Sequence, residues 1–168
     1  MPLSFEECIR THLRAAYNLA RWLAHNDSDA EDILQEALLR AYRFYSDLKN
    51  EDVKPWLLQI VRNSCYTWLK KNRNFVELKE DGEFLSDESQ LSPEAELLRK
   101  SSGAEIRSAL NRLSLEYREV LILREIEECS YKEISQIINV SEGTVMSRLS
   151  RARNKFRTIL LSKEKEVI

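Results

Sequence analysis

Glycine and proline are scarce in this sequence, with three of each among 168 residues. Because these two residues mark most tight turns, their scarcity argues against a fold of many short strands and favours long helices. Helix-forming residues dominate, and no long segment alternates apolar with polar residues. The length is enough for one or two small domains. The sequence therefore predicts an all-α fold.

Long apolar segments and grouped catalytic or metal-binding residues are also lacking. No segment approaches the ~18 apolar residues of a membrane-spanning helix, and no signal peptide is recognisable. Cys8, Cys65 and Cys129 are widely spaced, which predicts reduced, mostly buried thiols. Cys8 and His12 could share a helical face, but two ligands are too few for a structural zinc site. We expect a cytoplasmic protein without membrane insertion, and with no catalytic residue, cofactor or metal site.

The net charge of −2 hides a segregation of acidic and basic residues along the chain. Residues 27–36 contain five acidic residues and no basic one, whereas residues 53–76 contain five basic residues and no acidic one. Residues 77–100 contain eight acidic and three basic residues, and residues 143–163 contain six basic residues and no acidic one. Alternating blocks of charge suggest more than one partner, of which at least one is a polyanion.

Residues 130–153 predict two helices separated by a tight turn. Ser130 and Glu133 form a capping-box pattern at the start of the first helix. Asn139 tolerates the left-handed conformation in which helices often end, and Ser141 can cap the second helix. This is the pattern of a helix–turn–helix.

The second helix of this pair is strongly basic. Its apolar residues recur at spacings of four and three and predict one buried stripe: Val145, Leu149, Ala152, Phe156 and Ile159. The candidate DNA-binding residues of this helix are Glu142, Thr144, Ser147, Arg148, Arg151 and Lys155. Such a helix is suited to a DNA major groove. The alternative is an ordinary helical hairpin with a solvated basic face.

Three helices are predicted in the first half of the chain, over about residues 5–24, 28–46 and 53–72. Ser28 and Glu31 suggest a capping box at the start of the second helix. That helix is expected to expose four residues opposite its apolar stripe: Asp32, Gln35, Glu36 and Leu39. An acidic, partly apolar face could bind a basic protein surface, although a solvated face is an equal alternative.

The third helix combines basic, amide and aromatic residues on the face expected to be exposed. These are Gln59, Arg62, Asn63, Tyr66, Thr67, Lys70 and Lys71. Cations bind phosphates and aromatic rings stack on bases, so this combination suits single-stranded DNA. A basic solvated face beside a tryptophan-rich core explains the pattern about as well.

The domain organisation follows from a loss of periodicity after the third helix. We predict an N-terminal domain over residues 1–74, a flexible acidic linker over 75–92, and a C-terminal domain over 93–168. Ser92 and Pro93 are typical of a helix start. Helices are expected over about residues 93–112, 114–127, 130–138 and 141–161. The fold prediction is therefore two small helical domains, one of three helices and one with a helix–turn–helix.

Three segments together resemble the extracytoplasmic-function class of bacterial RNA polymerase sigma factors, in the sigma-70 superfamily. The segment DAEDILQEALLRAYRF (29–44) is similar to the helix with which the family binds core polymerase. The segment PWLLQIVRNSCYTWLKKNR (55–73) is similar to the helix that reads and opens the −10 promoter element. Residues 115–153 resemble the domain that reads the −35 element. The resemblance covers nearly the whole chain, in the family's order.

The resemblance implies a sigma factor whose partners are core RNA polymerase, promoter DNA and an anti-sigma factor. Three positions depart from the family's common pattern and leave the promoter preference open: Thr67 and Trp68 in the −10 helix, and Met146 in the recognition helix. Ser114 stands where members often have proline. The alternative is a stand-alone helix–turn–helix regulator whose N-terminal helices dimerise, and a third possibility is a helical adaptor without DNA binding.

Overall fold

The computed structural model describes residues 3–48, 52–77 and 102–166, and helices occupy most of them. The α-helices are α1 (Phe5–Arg10), α2 (Leu13–Ala24), α3 (Asp27–Phe44), α4 (Val53–Glu77), α5 (Ser102–Asn111), α6 (Leu115–Leu121), α7 (Tyr131–Ile138) and α8 (Glu142–Glu166). A 3-10 turn (Tyr45–Asp47) follows α3, and a π-helical segment (Ile122–Ile126) continues α6. These ranges contain no strand, and the predicted all-α fold of two helical domains is confirmed.

The core of the N-terminal half lies between α2, α3 and α4, which pack against one another. Many positions on these helices are fully buried alanines: Ala16, Ala20, Ala30, Ala37 and Ala41. Small side chains let helix backbones approach closely, and larger ones such as Leu19, Ile33 and Leu57 fill the remaining space. The apolar stripes predicted for these helices therefore meet in one core.

The first predicted helix is interrupted at Thr11 and His12, so the prediction of one continuous helix from 5 to 24 was wrong. The His12 amide donates to the Ile9 carbonyl at 2.8 Å, three residues back rather than four, which tightens the turn and ends α1. Ser4 and Glu7 form a capping box at the start of α1. The Phe5 ring packs edge-on against Tyr42 and Tyr45, and these contacts bind α1 to the end of α3.

The start of α3 also differs from the prediction. His25 ends α2 in the left-handed conformation (φ 71°), and Asn26 becomes the cap, since its side chain accepts from the Asp29 amide at 2.8 Å. Ser28 consequently lies within the first turn of α3, and the predicted capping box of Ser28 and Glu31 was wrong. An amide caps a helix as well as a hydroxyl, and Asn26 precedes the predicted serine by two residues.

Three helices of the C-terminal half begin where the sequence predicts, whereas α6 passes into a π-helical segment at Ile122 and α8 continues to Glu166, beyond its predicted end near residue 161. The Ser114 side chain caps α6, and Ser130 and Glu133 form the expected capping box on α7. Asn139 ends α7 in the left-handed conformation (φ 58°). Ser141 then accepts from the Thr144 amide at 3.1 Å at the start of α8. The predicted helix–turn–helix is confirmed in its caps and its turn.

The two halves of the chain pack against each other, which no feature of the sequence predicts. Helix α4 contacts α7, and α2 contacts α6. Leu58 and Cys65 on α4, which lie four residues before and three residues after Arg62, are fully buried. Helix α4 also continues to Glu77, beyond its predicted end near Asn72. The rest of the predicted linker, and the predicted helix start at Ser92 and Pro93, lie outside the described residues.

Candidate functional site

The recognition helix of the predicted helix–turn–helix presents its basic face to solvent. Val145, Leu149 and Ala152 are buried, and this stripe fixes which face of α8 points away from the C-terminal core. Four of the six candidate residues are exposed: Glu142, Ser147, Arg151 and Lys155. The other two, Thr144 and Arg148, are half-buried. Met146 is 56% exposed beside them.

An ion pair anchors α8 to the π-helical segment. The Arg153 guanidinium lies 2.8 Å from the Glu125 carboxylate, and both side chains are largely exposed. Arg124 donates to the Cys129 carbonyl at 2.9 Å and stacks over the Tyr131 ring, which ties the same segment to the start of α7. These contacts orient the recognition helix relative to the rest of its half.

The acidic face of α3 is fully accessible. Asp32, Gln35, Glu36 and Leu39 are all exposed, as predicted, and the Leu39 side chain is 65% exposed. Tyr42, three residues further along the same face, is 67% exposed and was not among the predicted site residues. Its spacing from Leu39 is the signal that could have identified it. The face therefore combines carboxylates with two large apolar side chains, as a protein-docking surface does.

The face of α4 that we predicted to bind single-stranded DNA is partly exposed to solvent and partly in contact with the C-terminal half. Asn63, Thr67, Lys70 and Lys71 are exposed, as predicted. Gln59, Arg62 and Tyr66 are half-buried, so the expectation that they are exposed was wrong in this arrangement. The reason is tertiary, because α4 lies between its own core and the C-terminal half.

A buried carboxylate in the C-terminal half binds Arg62. Glu119 on α6 is fully buried, and its two oxygens accept from Arg62 Nε at 2.9 Å and from Arg62 Nη2 at 3.2 Å. The guanidinium also lies 3.8 Å from the centre of the Tyr66 ring. Burial raises the pKa of Glu119, while Arg62, Tyr66 and Arg148 act in the opposite direction. The carboxylate thus forms its ion pair with Arg62 of α4.

Sequence reasoning missed Glu119, although the sequence contains a signal for it. The residue lies four positions after Leu115 and four before Leu123, and so falls on the apolar side of its helix. A carboxylate at such a position needs a charged or hydrogen-bonding partner. The sequence does not say that the partner is Arg62, 57 residues earlier.

A second set of polar contacts crosses between the halves at Glu127. Its carboxylate accepts from the Asn18 amide group at 3.3 Å, and its backbone carbonyl accepts from Lys54 Nζ at 2.8 Å. The π-helical hydrogen bond from the Glu127 amide to the Ile122 carbonyl (3.0 Å) sets the position of this residue. Polar contacts at Glu119 and at Glu127 therefore both join the halves.

Among the residues that the structure describes, the cysteines are not grouped with other metal-binding side chains. Within the described ranges, no three His, Cys, Asp or Glu side chains group closely enough to hold a metal ion. Cys65 and Cys129 are buried thiols, and burial raises the pKa of Cys65 to about 12. In those same ranges, no helix is sufficiently long and apolar to pass through a membrane.

Two family models match the chain in sequence order. The model for sigma-70 region 2 matches residues 8–75, and the model for sigma-70 region 4 matches residues 103–156. The first match contains the acidic face of α3 and helix α4, and the second contains the helix–turn–helix.

Individual proteins are similar along nearly all of the chain. The ECF RNA polymerase sigma factor SigE of Mycolicibacterium smegmatis is 32% identical over 99% of this chain, which spans 65% of that protein. The ECF RNA polymerase sigma factor SigM of Bacillus subtilis is 30% identical over 94% of this chain and 95% of its own length. The sigma factor RpoE of Bartonella quintana, solved with the anti-sigma factor NepR, has a TM-score of 0.73 and 28% identity over 93% of this chain and 96% of that one. The chain therefore belongs to the ECF sigma factors of the sigma-70 family.

Proposed function

We propose that this sigma factor binds core RNA polymerase through the exposed face of α3. Asp32 and Glu36 supply negative charge, and Leu39 supplies apolar area next to it. A basic, partly apolar surface of the polymerase fits this combination, since charge complementarity guides docking and apolar burial adds affinity. Gln35 lies between the acidic residues and can hydrogen-bond across the interface.

Helix α4 is proposed to capture unpaired bases of the −10 element. Asn63 can hydrogen-bond to base edges, Tyr66 can stack on a base, and Lys70 and Lys71 can contact phosphates. Gln59, Arg62 and Thr67 lie on or beside the same face. Thr67 and Trp68 depart from the family's common pattern, so the family's pattern does not give the base preference of this helix.

Helix α8 is proposed to read the −35 element in the major groove. Its N-terminal residues Thr144, Ser147, Arg148 and Arg151 share the face that meets base edges, whereas Lys155 lies further along and meets phosphate. Met146 is exposed on this helix and can contact a thymine methyl group.

The observation that carries this proposal is the order of the elements in one chain. An acidic docking face, a basic helix with an aromatic ring and a basic recognition helix follow one another within the two family matches. A stand-alone regulator requires only the last of these. Because RpoE is similar to this chain and was solved with an anti-sigma factor, we propose that an anti-sigma protein also binds this one, in the cytoplasm.

Transcription with purified core polymerase tests the proposal. We expect that core polymerase plus this chain produces run-off transcripts from a subset of genomic fragments, and that core polymerase alone does not. The selected fragments should share two conserved elements at a constant spacing. A palindromic footprint on DNA without polymerase, together with a dimer in size-exclusion chromatography, would instead establish the stand-alone regulator.

A further inference from the structure

A cavity of about 340 Å³ lies where the start of α2, the start of α4 and the end of the π-helical segment meet. The side chains that give it its chemistry are His12, Arg14, Asn18, Lys54, Ile126 and Glu127. None of these residues belongs to the faces proposed to bind polymerase or DNA. Small-molecule sites in proteins have volumes of about 300–1,000 Å³, so the cavity has room for one small metabolite.

Two cationic side chains in the cavity have donors to spare. Lys54 Nζ donates to the Glu127 carbonyl at 2.8 Å, which uses one of the three N–H groups of an ammonium. Arg14 is exposed, and its guanidinium forms no ion pair or hydrogen bond with any other residue that the structure describes. Guanidinium and ammonium groups with free donors are the usual protein ligands of phosphate.

His12 adds a third group that responds to an anion. The side chain is half-buried, and burial, followed by the positive charge of Lys54, lowers the pKa of its imidazole. The other charged groups that line the cavity are Arg14 on α2 and Glu127 on the π-helical segment. An anion placed near Lys54 would offset that positive charge and so raise the pKa of His12.

The cavity also contains hydrogen-bond acceptors, which a simple anion would leave unused. The Glu127 carboxylate accepts from the Asn18 amide group at 3.3 Å, and a carboxylate can accept further hydrogen bonds. The Asn18 side chain has a carbonyl oxygen as well. Ile126, which is 44% exposed, supplies apolar area beside them. These groups fit a ligand that carries hydroxyl or N–H donors in addition to its negative charge.

We propose that this cavity binds a small organic phosphate, whose phosphate group contacts Arg14 and Lys54. The hydroxyl or N–H groups of the ligand donate to Glu127 and Asn18, and His12 lies beside the phosphate. Sugar phosphates and nucleoside monophosphates share this chemistry. The site does not depend on the proposed roles of α3, α4 and α8, because its side chains are separate from theirs.

Isothermal titration calorimetry of the full chain tests the proposal and separates the two kinds of ligand. The probes are inorganic phosphate, glucose 6-phosphate and guanosine 5′-monophosphate, with glucose and guanosine as neutral counterparts. We expect at least one organic phosphate to bind with 1:1 stoichiometry and about tenfold more tightly than inorganic phosphate. The neutral counterparts should not bind. Tighter binding of glucose 6-phosphate identifies a sugar-phosphate site, and tighter binding of guanosine 5′-monophosphate identifies a nucleotide site.

Substitutions in the cavity separate the contacts to the phosphate from those to the rest of the ligand. Arg14→Gln should weaken the binding of the organic phosphate about tenfold. The matched control is Arg43→Gln, which removes the same charge from an exposed position on α3 and should leave the affinity unchanged. Glu127→Gln should weaken the organic phosphate, but it should not weaken inorganic phosphate, because it removes a negative charge from the cavity.

Nuclear magnetic resonance locates the ligand, since the chain has two histidines. A saturating organic phosphate should raise the pKa of His12, whereas the ring signals of His25, which follows the other end of α2, should not shift. The proposal is overturned if every organic phosphate binds more weakly than about 1 mM or no more tightly than inorganic phosphate. Wild-type affinity in Arg14→Gln, or an unchanged pKa of His12, also overturns it. If circular dichroism shows that Arg14→Gln does not fold, Lys54→Gln takes its place with the same expected loss.

Discussion

Individual side chains on the recognition helix differ in what they can contact. Arg148 and Arg151 lie within the first three turns of α8, and Lys155 lies one turn beyond Arg151. An arginine guanidinium can donate two hydrogen bonds to the acceptors on a guanine edge. A lysine placed near the DNA backbone binds phosphate whatever the base sequence. Position along the helix therefore separates base reading from general DNA affinity.

Arg148→Ala or Arg151→Ala is expected to change base preference in the −35 element. Losing a bidentate arginine–guanine pair costs about 1–3 kcal/mol at one base position. Lys155→Ala is the matched control and should weaken all sequences alike, lowering the salt slope by about one unit. A promoter library selected with each mutant holoenzyme at two salt concentrations measures both effects. Unchanged preference in both arginine variants would show that this face does not read bases.

The double change of Asp32 and Gln35 to alanine tests the docking face at the same scale. Core binding should weaken by roughly 2–4 kcal/mol if both residues make charge-assisted or buried hydrogen bonds. Helical content should not change, because both side chains are exposed. Titration of fluorescent core polymerase measures the affinity, and Glu6→Ala on α1 removes an exposed carboxylate elsewhere as a control. If the double variant binds core polymerase with wild-type affinity, this face of α3 is not the polymerase-binding surface.

At the scale of elements, α4 serves two surfaces at once. It packs on α2 and α3, while Arg62 binds Glu119 of the C-terminal half and Asn63 and Lys70 face solvent. A helix that is covered on two sides is fixed in rotation, so its remaining face has one orientation. The exposed side chains of α4 therefore have one direction relative to both halves.

Substitutions on the exposed face of α4 should impair strand opening. Asn63→Ala or Lys70→Ala should reduce open complex formation while leaving core affinity intact, since removing one interaction with a base or a phosphate costs about 1–3 kcal/mol. Permanganate footprinting of a duplex promoter measures the opening. The same promoter with a mismatched −10 bubble is the control and should restore part of the activity. Normal opening in both variants on duplex DNA is the contrary outcome.

The cap of α7 offers a stability test at the element scale. Ser130 accepts from the Glu133 amide at 3.0 Å, and Glu133 accepts in return from the Ser130 amide at 3.0 Å. Ser130→Ala should lower the free energy of unfolding by about 1 kcal/mol, measured by urea denaturation. Ser150→Ala, at an exposed position inside α8, should change it little. Equal effects of the two substitutions would contradict the role of the cap.

At the scale of the whole molecule, the protonation of His25 makes the stability of the chain depend on pH, because His25 lies near Arg118 of the C-terminal half. Burial, together with the charges of Arg118 in the C-terminal half and of Arg21, lowers the pKa of His25 to about 4. Its neutral form is therefore favoured in the folded chain. Above the ordinary histidine pKa of about 6.5, His25 is neutral in both the folded and the unfolded chain and does not destabilise the fold. As the pH falls from there toward 4, the unfolded chain takes up a proton on His25 more readily than the folded chain does, so the free energy of unfolding decreases.

Acidification should therefore destabilise the folded chain through His25. Between about pH 7 and pH 5 we expect wild type to lose roughly 1 kcal/mol more stability than His25→Asn, after allowing for partial exposure of the ring. Asparagine keeps the left-handed backbone at this position and does not titrate in this range. Urea denaturation at each pH measures the difference in the free energy of unfolding between the two proteins. Carboxylates that titrate alike in both proteins do not contribute to this difference. If the stability of the two proteins changes with pH in parallel, His25 is not the cause of the acid destabilisation.

Patterns within single segments determined much of this protein. The capping box at Ser130, the left-handed Asn139 and the stripe from Val145 to Ile159 all depend on neighbours within about four residues, and these predictions are confirmed. The exposure of Asp32 to Leu39 follows from the same periodicity. Local hydrogen bonds and helical spacing are properties that a sequence displays directly.

The tertiary structure alone decided how the halves meet. Arg62 and Glu119 are 57 residues apart in the sequence. The chain has 26 basic and 28 acidic residues, and no local pattern shows which basic residue pairs with which acidic residue over such a distance. The half-buried Tyr66 ring, 3.8 Å from the Arg62 guanidinium, belongs to the same cluster. Which side of α4 is covered depends on which helix packs against it. That choice is made by the summed burial and pairing of both surfaces, which no single segment contains.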